Sequence, residues 1–164
     1  MPAERYTVRV SKDYLVFCAA HFITYDGEHC ERLHGHNYRV AVEVDGELDE
    51  NQYVFDFIAL KQFTKSITDT LDHRMLLPTK SDLIRVEERE GDVHVRYGDR
   101  RWMFPREDCV LLPLANTTAE LLGRYVGQEL LESLLREKNY KPRALRVEVE
   151  ESFGQSATYQ WERE

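Results

Sequence analysis

The chain has 164 residues, 42% apolar and 32% charged, a balance that excludes a disordered polymer and suits one globular domain over 1–164. A net charge of −8 and a pI of about 5.3 speak against a nucleic-acid or membrane-surface partner, since both recruit basic patches. An anionic small molecule stays possible, because it needs only a local positive pocket. No run of about 18 apolar residues is present to span a bilayer, and Met1-Pro2-Ala3-Glu4-Arg5 lacks the apolar centre of a secretion signal. The sparse, odd set Cys18, Cys30 and Cys109 fits free thiols in a reducing cytoplasm. In that setting Asn116-Thr117-Thr118 is a chance match to a glycosylation sequon.

Tyr6, Val8 and Val10 alternate with polar residues and predict a strand. A second apolar run, Tyr14 to Phe22, carries His21 near its end, and a loop over 25–29 follows. His34, His36, Tyr38, Val40, Val42 and Val44 then share one parity, so a strand points both histidines to the side of its buried valines. Asp45-Gly46 reads as a turn. Asp56 is a candidate N-cap for a helix carrying Leu60, Phe63, Ile67 and Leu71 and ending near Asp72-His73. Residues 82–104 predict a small antiparallel meander, punctuated by Gly91-Asp92 and Gly98-Asp99, and read as a peripheral surface decoration. Thr117-Thr118-Ala119-Glu120 looks like a capping box, with Thr117 as N-cap, opening a helix through Leu134. Leu145, Val147, Val149 and Glu151 share the inward parity of the next strand. Ala157, Tyr159 and Trp161 suggest a last one after the Gly154 turn. The order strand–strand–helix–meander–helix–strand–strand is α+β.

His21, His34 and His36 are candidate ligands of a zinc ion, although imidazole also suits iron and nickel. A lone histidine would more simply be a satisfied polar group, but two on one strand face with a third nearby favour a metal. Gly35 between them permits close backbone approach. Cys30 has three readings. It is a fourth ligand of a closed structural site, a reactive thiol with pKa lowered by nearby positive charge, or a small buried hydrophobe. Cys18 and Cys109 fit the buried reading. Asp72-His73 is either a proton relay or a helix C-terminus at which the dipole favours histidine, and spacing alone leans to the latter. A carboxylate at Glu151, at the end of an inward face, requires a partner. That partner is an Arg or Lys, or the paired N–H donors of a heterocycle edge.

Ala19-Ala20-His21-Phe22, the Cys-x-x-x-His-Gly-His block at 30–36, Phe55-Asp56-Phe57, Leu71-Asp72-His73, Asn116-Thr117-Thr118 and Val147 to Ser152 together resemble the 6-pyruvoyltetrahydropterin synthase superfamily. The resemblance is strongest to its bacterial 6-carboxytetrahydropterin synthase branch, in queuosine biosynthesis. It implies a tunnelling fold (T-fold), an antiparallel sheet with two main helices on one face, assembled as a homohexamer, a dimer of trimers. It implies Zn2+ on His21, His34 and His36, with Cys30 as a proton-transferring thiol and not a ligand. Asp72 and His73 become a relay reaching a neighbouring subunit's pocket. Glu151 anchors the pterin ring, and Thr117 and Thr118 line the same pocket. The implied substrate is 7,8-dihydroneopterin triphosphate, converted with loss of triphosphate and acetaldehyde. The three residues between Cys30 and His34 resemble the carboxy-forming enzymes, whereas His36-Asn37-Tyr38 also resembles the pyruvoyl-forming branch. Two departures are the long 82–104 segment, which could cap the barrel end, alter the subunit contact or line the pocket but reads most simply as surface decoration, and Thr117, where the carboxy branch commonly has proline. A non-catalytic protein with a closed structural zinc site is the competing expectation.

Overall fold

The computed structural model describes residues 4–164; Met1 to Ala3, part of the stretch read above for a secretion signal, lie outside the described residues. Strand β1 runs unbroken from Tyr6 to His21, merging the two expected apolar runs. Between Ser11 and Val16 its pairing slips, so that four residues, Lys12 to Leu15, stand opposite Val40 alone. The slip changes which residues face inward: Val10 is buried before it, and Leu15, Phe17, Ala19 and His21 after it. Cys18 therefore faces outward and is exposed, against the expectation that it is a core thiol. The unbroken run Val16-Phe17-Cys18-Ala19-Ala20 concealed this alternation. Cys109 is buried as expected.

The 25–29 loop is a two-stranded ribbon, β2 (Thr24–Tyr25) and β3 (His29–Cys30). It turns through Asp26 and Gly27, both at positive φ. Strand β4 (His34–Gly46) pairs antiparallel with β1, and Tyr38, Val40, Val42 and Val44 are buried on the anticipated parity. Helix α1 (Phe57–Leu71) is capped by Asp56, whose carboxylate accepts from Ile58 N and Ala59 N.

Strands β5 (Arg74–Pro78) and, later, β9 (Cys109–Leu112) had no counterpart in the reading of the sequence. Both run parallel, β5 beside β1 and β9 beside β5, so the sheet is mixed and not purely antiparallel. Their short apolar runs lack the alternation that marks a half-exposed strand. The meander forms as β6 (Arg85–Arg89), β7 (Asp92–Tyr97) and β8 (Arg100–Pro105). It is not a decoration: Val93 and Val95 build a second core with Phe22, Met75, Leu77, Ile84 and Cys109.

Helix α2 (Ala119–Lys138) starts one residue later than the capping box implied. Thr118, not Thr117, is the N-cap and accepts from Leu121 N. Strands β10 (Ala144–Ser152) and β11 (Gln155–Glu162) complete a six-stranded sheet in the order β11-β10-β4-β1-β5-β9. Leu60 and Leu71 of α1 and Leu122, Val126, Leu130 and Leu134 of α2 bury one face of this sheet. A Cβ at Gly127 would meet the Tyr159 ring at 2.7 Å, so glycine there lets α2 press onto β11. Among the described residues no helix is long and apolar enough to cross a membrane.

Candidate metal centre

His21 is the last residue of β1 and pairs across the sheet with His34, while His36 pairs with Ala19. A Cβ at Gly35 would meet Ala19 O at 3.1 Å, so a glycine between the two histidines keeps the strands close. The His21–His34 and His34–His36 ring centroids are 4.8 and 4.7 Å apart. Glu151 enters from the end of β10, on the parity expected of it. One ligand atom from each of His21, His34, His36 and Glu151 lies within 4.8 Å of the others. Cys30 is not in this group, and the fourth corner is a carboxylate.

The hydrogen bonds around the cluster prepare it for a cation. His21 Nδ1 is 2.9 Å from Thr117 O, and His34 Nδ1 is 2.8 Å from Arg32 O. A carbonyl only accepts, so both Nδ1 atoms carry the proton and both Nε2 atoms present lone pairs. Glu151 Oε1 lies 3.3 Å from His21 Nε2 and 3.2 Å from His36 Nε2. At His21 two electron-rich atoms thus face each other, an arrangement that a positive ion between them would relieve. These spacings match the ~3.3 Å edge of a tetrahedron around a zinc with ligands at ~2.0–2.1 Å. His21 is 1% exposed. Burial, with the nearby His34 and His36 adding to it, lowers its pKa to about 4 against the pull of the Thr117 carbonyl, so the ring is neutral at neutral pH. The Tyr38 hydroxyl, 3.1–3.2 Å from both ring nitrogens, supports it from the core. Burial, aided by Glu151 and Glu31, raises the Tyr38 pKa and keeps it protonated.

The remaining expected residues surround this corner at different depths. Cys30 is half-buried at the end of the ribbon, its Sγ 3.6 Å from Glu31 O. Burial pushes its thiol pKa up, Arg100 pulls it down and Glu31 adds to the rise. The lowered pKa expected from nearby positive charge is therefore not found in the single chain, because desolvation outweighs one guanidinium. Asp72 and His73 do form a dyad, with His73 Nδ1 2.9 Å from Asp72 Oδ2. Asp72 Oδ1 accepts from Cys18 N at 2.8 Å, and His73 N donates to Cys18 O at 2.6 Å. That Cys18 N–H, and then His73, hold the Asp72 carboxyl below its usual range. His73 takes a left-handed backbone, φ 56°, and its side chain is 82% exposed. The imidazole is thus displayed outward and not turned into the cluster of its own chain.

Thr117 is fully buried, its hydroxyl 3.5 Å from Phe22 O, and it serves His21 through its carbonyl. Asn116 fastens the ribbon, donating to Thr24 O at 2.9 Å. Thr118 lines a hollow of about 310 Å³ together with Glu151 and Ala157. On the other side of Glu151 a cleft of about 560 Å³ is lined by Cys18, His36, Asn37 and Arg39. Glu31, not singled out from the sequence, accepts from Ile23 N and lies 3.8 Å from His34 Nε2. Its acidity beside the Cys-x-x-x-His block was the available signal.

Residues 9–162 match the family model described as 6-pyruvoyl tetrahydropterin synthase. The chain belongs to that family. It is a pterin lyase of this class, built on the family's T-fold. A Haemophilus influenzae 6-carboxy-5,6,7,8-tetrahydropterin synthase is 34% identical over 131 residues, 74% of this chain and 81% of that protein. A Methanocaldococcus jannaschii protein, provisionally named for the same activity, is 34% identical over 146 residues, 88% of this chain and 89% of that one. The structure of Plasmodium vivax 6-pyruvoyltetrahydropterin synthase superposes with a TM-score of 0.89 at 31% identity, covering 98% of this chain and 100% of that one.

Proposed function

We propose that the protein is a zinc-dependent lyase. It converts 7,8-dihydroneopterin triphosphate to 6-carboxy-5,6,7,8-tetrahydropterin, releasing acetaldehyde and triphosphate, as a cytoplasmic step toward queuosine and related 7-deazapurines. The observation that carries the reading is the imidazole cluster of His21, His34 and His36. Two of its Nε2 lone pairs are fixed by carbonyls, and a cleft lies alongside. The names of the sequence relatives support the carboxy product.

The three imidazoles would hold zinc, which supplies Lewis acidity to the substrate's side-chain hydroxyls. Glu151, between the two hollows, accepts the paired N–H donors of the pterin edge. Turning toward the ring takes its carboxylate away from His21 and His36. Thr118 borders the same hollow, while Thr117 acts from behind by orienting His21. Cys30 exchanges the proton of the adjacent carbon. Its thiol is protonated in the isolated chain, so it needs a positive neighbour to ionise. His73, its Nδ1–H held by Asp72, supplies that charge from a neighbouring subunit of a hexamer, which accounts for its outward display.

A second reading has one specific support. The pyruvoyl-forming Plasmodium enzyme shares the whole fold, and His36-Asn37-Tyr38 resembles that branch. The two are separated by incubating the metal-loaded protein with dihydroneopterin triphosphate and identifying the products. Acetaldehyde and a carboxypterin are expected. A diketo pterin without acetaldehyde would assign the pyruvoyl reaction instead.

A further inference from the structure

The meander touches the ribbon that bears Cys30 at two places and the exit of β1 at a third. Arg100 Nη1 donates to the Cys30 carbonyl at 2.8 Å. The Tyr97 hydroxyl donates to Glu28 O, at the turn of the ribbon that ends in Cys30. Trp102 stacks on Phe22, the residue after His21, with centroids 4.5 Å apart and planes 21° from parallel. Arg100 is itself held flat by that tryptophan, its guanidinium carbon 4.7 Å from the ring centroid. Cys30, Tyr97, Trp102 and Phe104 pack against the meander's own core. One rigid unit therefore grips the thiol-bearing ribbon and the exit of the strand that carries His21.

We propose that this meander is a positioning device for the reaction, with Arg100 as the residue that sets Cys30 against the metal-bearing strands. The inference rests on Cys30 being the proton-transferring thiol. The backbone of β3 pairs with β2 through Thr24↔Cys30 and Tyr25↔His29, and Glu31 N donates to Ile23 O just beyond it. The Arg100 bond adds an anchor from outside the ribbon to the carbonyl of Cys30 itself. Arg100 places its charge beside the thiol by the same bond. The charged groups that shift the Cys30 thiol are Glu31 from its own segment and Arg100 from β8. Removing the guanidinium leaves only the acidic one. A lysine keeps the charge and one donor, so it restores most of the effect.

The test compares Arg100→Met, Arg100→Lys and Tyr97→Phe with the parent protein as isolated with its metal. Turnover of dihydroneopterin triphosphate is measured alongside the pH profile of Cys30 alkylation by iodoacetamide. Peptide mass spectrometry resolves Cys30 from Cys18, which serves as the internal reference. Arg100→Met is expected to lower kcat by about 10- to 100-fold with KM within about twofold. It is also expected to move the Cys30 profile to higher pH, leaving Cys18 and bound metal unchanged. Arg100→Lys should recover most of both, and Tyr97→Phe should give a smaller loss of kcat. Unaltered kcat and an unaltered Cys30 profile in Arg100→Met overturn the proposal. So does an equal loss in Arg100→Lys. If Arg100→Met does not fold, Tyr97→Phe decides, and parent-like kcat there overturns it. Cys30→Ala separates the two levels: full turnover in that variant removes the thiol reading itself, whatever Arg100 does.

Discussion

His21, His34 and His36 sit on paired strands, with two ring orientations fixed by carbonyls and a buried tyrosine behind. Cys30 and His73 are held differently. The thiol ends a short ribbon with four paired residues, braced by the meander, and the imidazole projects into solvent from a left-handed residue. The His21, His34, His36 and Glu151 cluster is complete within one chain, whereas His73 points away from it. Metal ligands tolerate little error in distance, which favours sheet. Proton donors must meet a substrate that enters and leaves, and one of them can come from another subunit.

Changes at the metal corner should be the most severe. His34→Ala or His36→Ala is expected to lose bound zinc and about a thousandfold or more in turnover, read by metal analysis and product assay. Retention of full metal in both would dissolve the contrast. Cys30→Ala should keep its metal and lose about 10²–10⁴-fold in kcat. Loss of metal in this variant would place the thiol on the other side of the divide. Mixing inactive Cys30→Ala with inactive His73→Ala, after subunit exchange, should restore roughly a quarter of activity if each site takes one group from each of two subunits. No recovery after verified exchange would confine the site to one chain.

Much of this contrast was legible from residue order. The parity of β4 placed His34 and His36 together, and that of β10 brought Glu151 to the same corner. Asp56 announced the start of α1. What escaped detection was non-local. The slip after Ser11 reverses the facing of Cys18, yet the run Val16 to Ala20 around that cysteine does not alternate apolar with polar residues. Strands β5 and β9 are too short and too evenly apolar to alternate. Of two adjacent threonines the capping-box pattern pointed to Thr117, whereas Thr118 accepts from Leu121 N and Thr117 turns its carbonyl to His21. Arg100 is one of two adjacent arginines, and nothing in the local pattern links it to a cysteine seventy positions earlier.

A smaller effect distinguishes the buried imidazole from its exposed counterpart. His21 has its pKa lowered from 6.5 to about 4 in the fold, chiefly by burial. The unfolded chain then takes up the proton first as pH falls. Stability of the metal-free protein is full above about pH 6.5 and declines toward about pH 4, by up to roughly 3 kcal/mol from this group. Urea midpoints across that range should show the decline in the parent and a weaker one in His21→Gln. An equal slope in both would mean that burial of His21 does not govern it.

The most direct measurement is X-ray absorption at the zinc edge of the substrate-free protein. The expected first shell is nitrogen and oxygen only, at about 2.0–2.1 Å, with imidazole scattering and no change in Cys30→Ala. A sulfur shell at about 2.3 Å that disappears in Cys30→Ala would make Cys30 a ligand and the site a closed structural one.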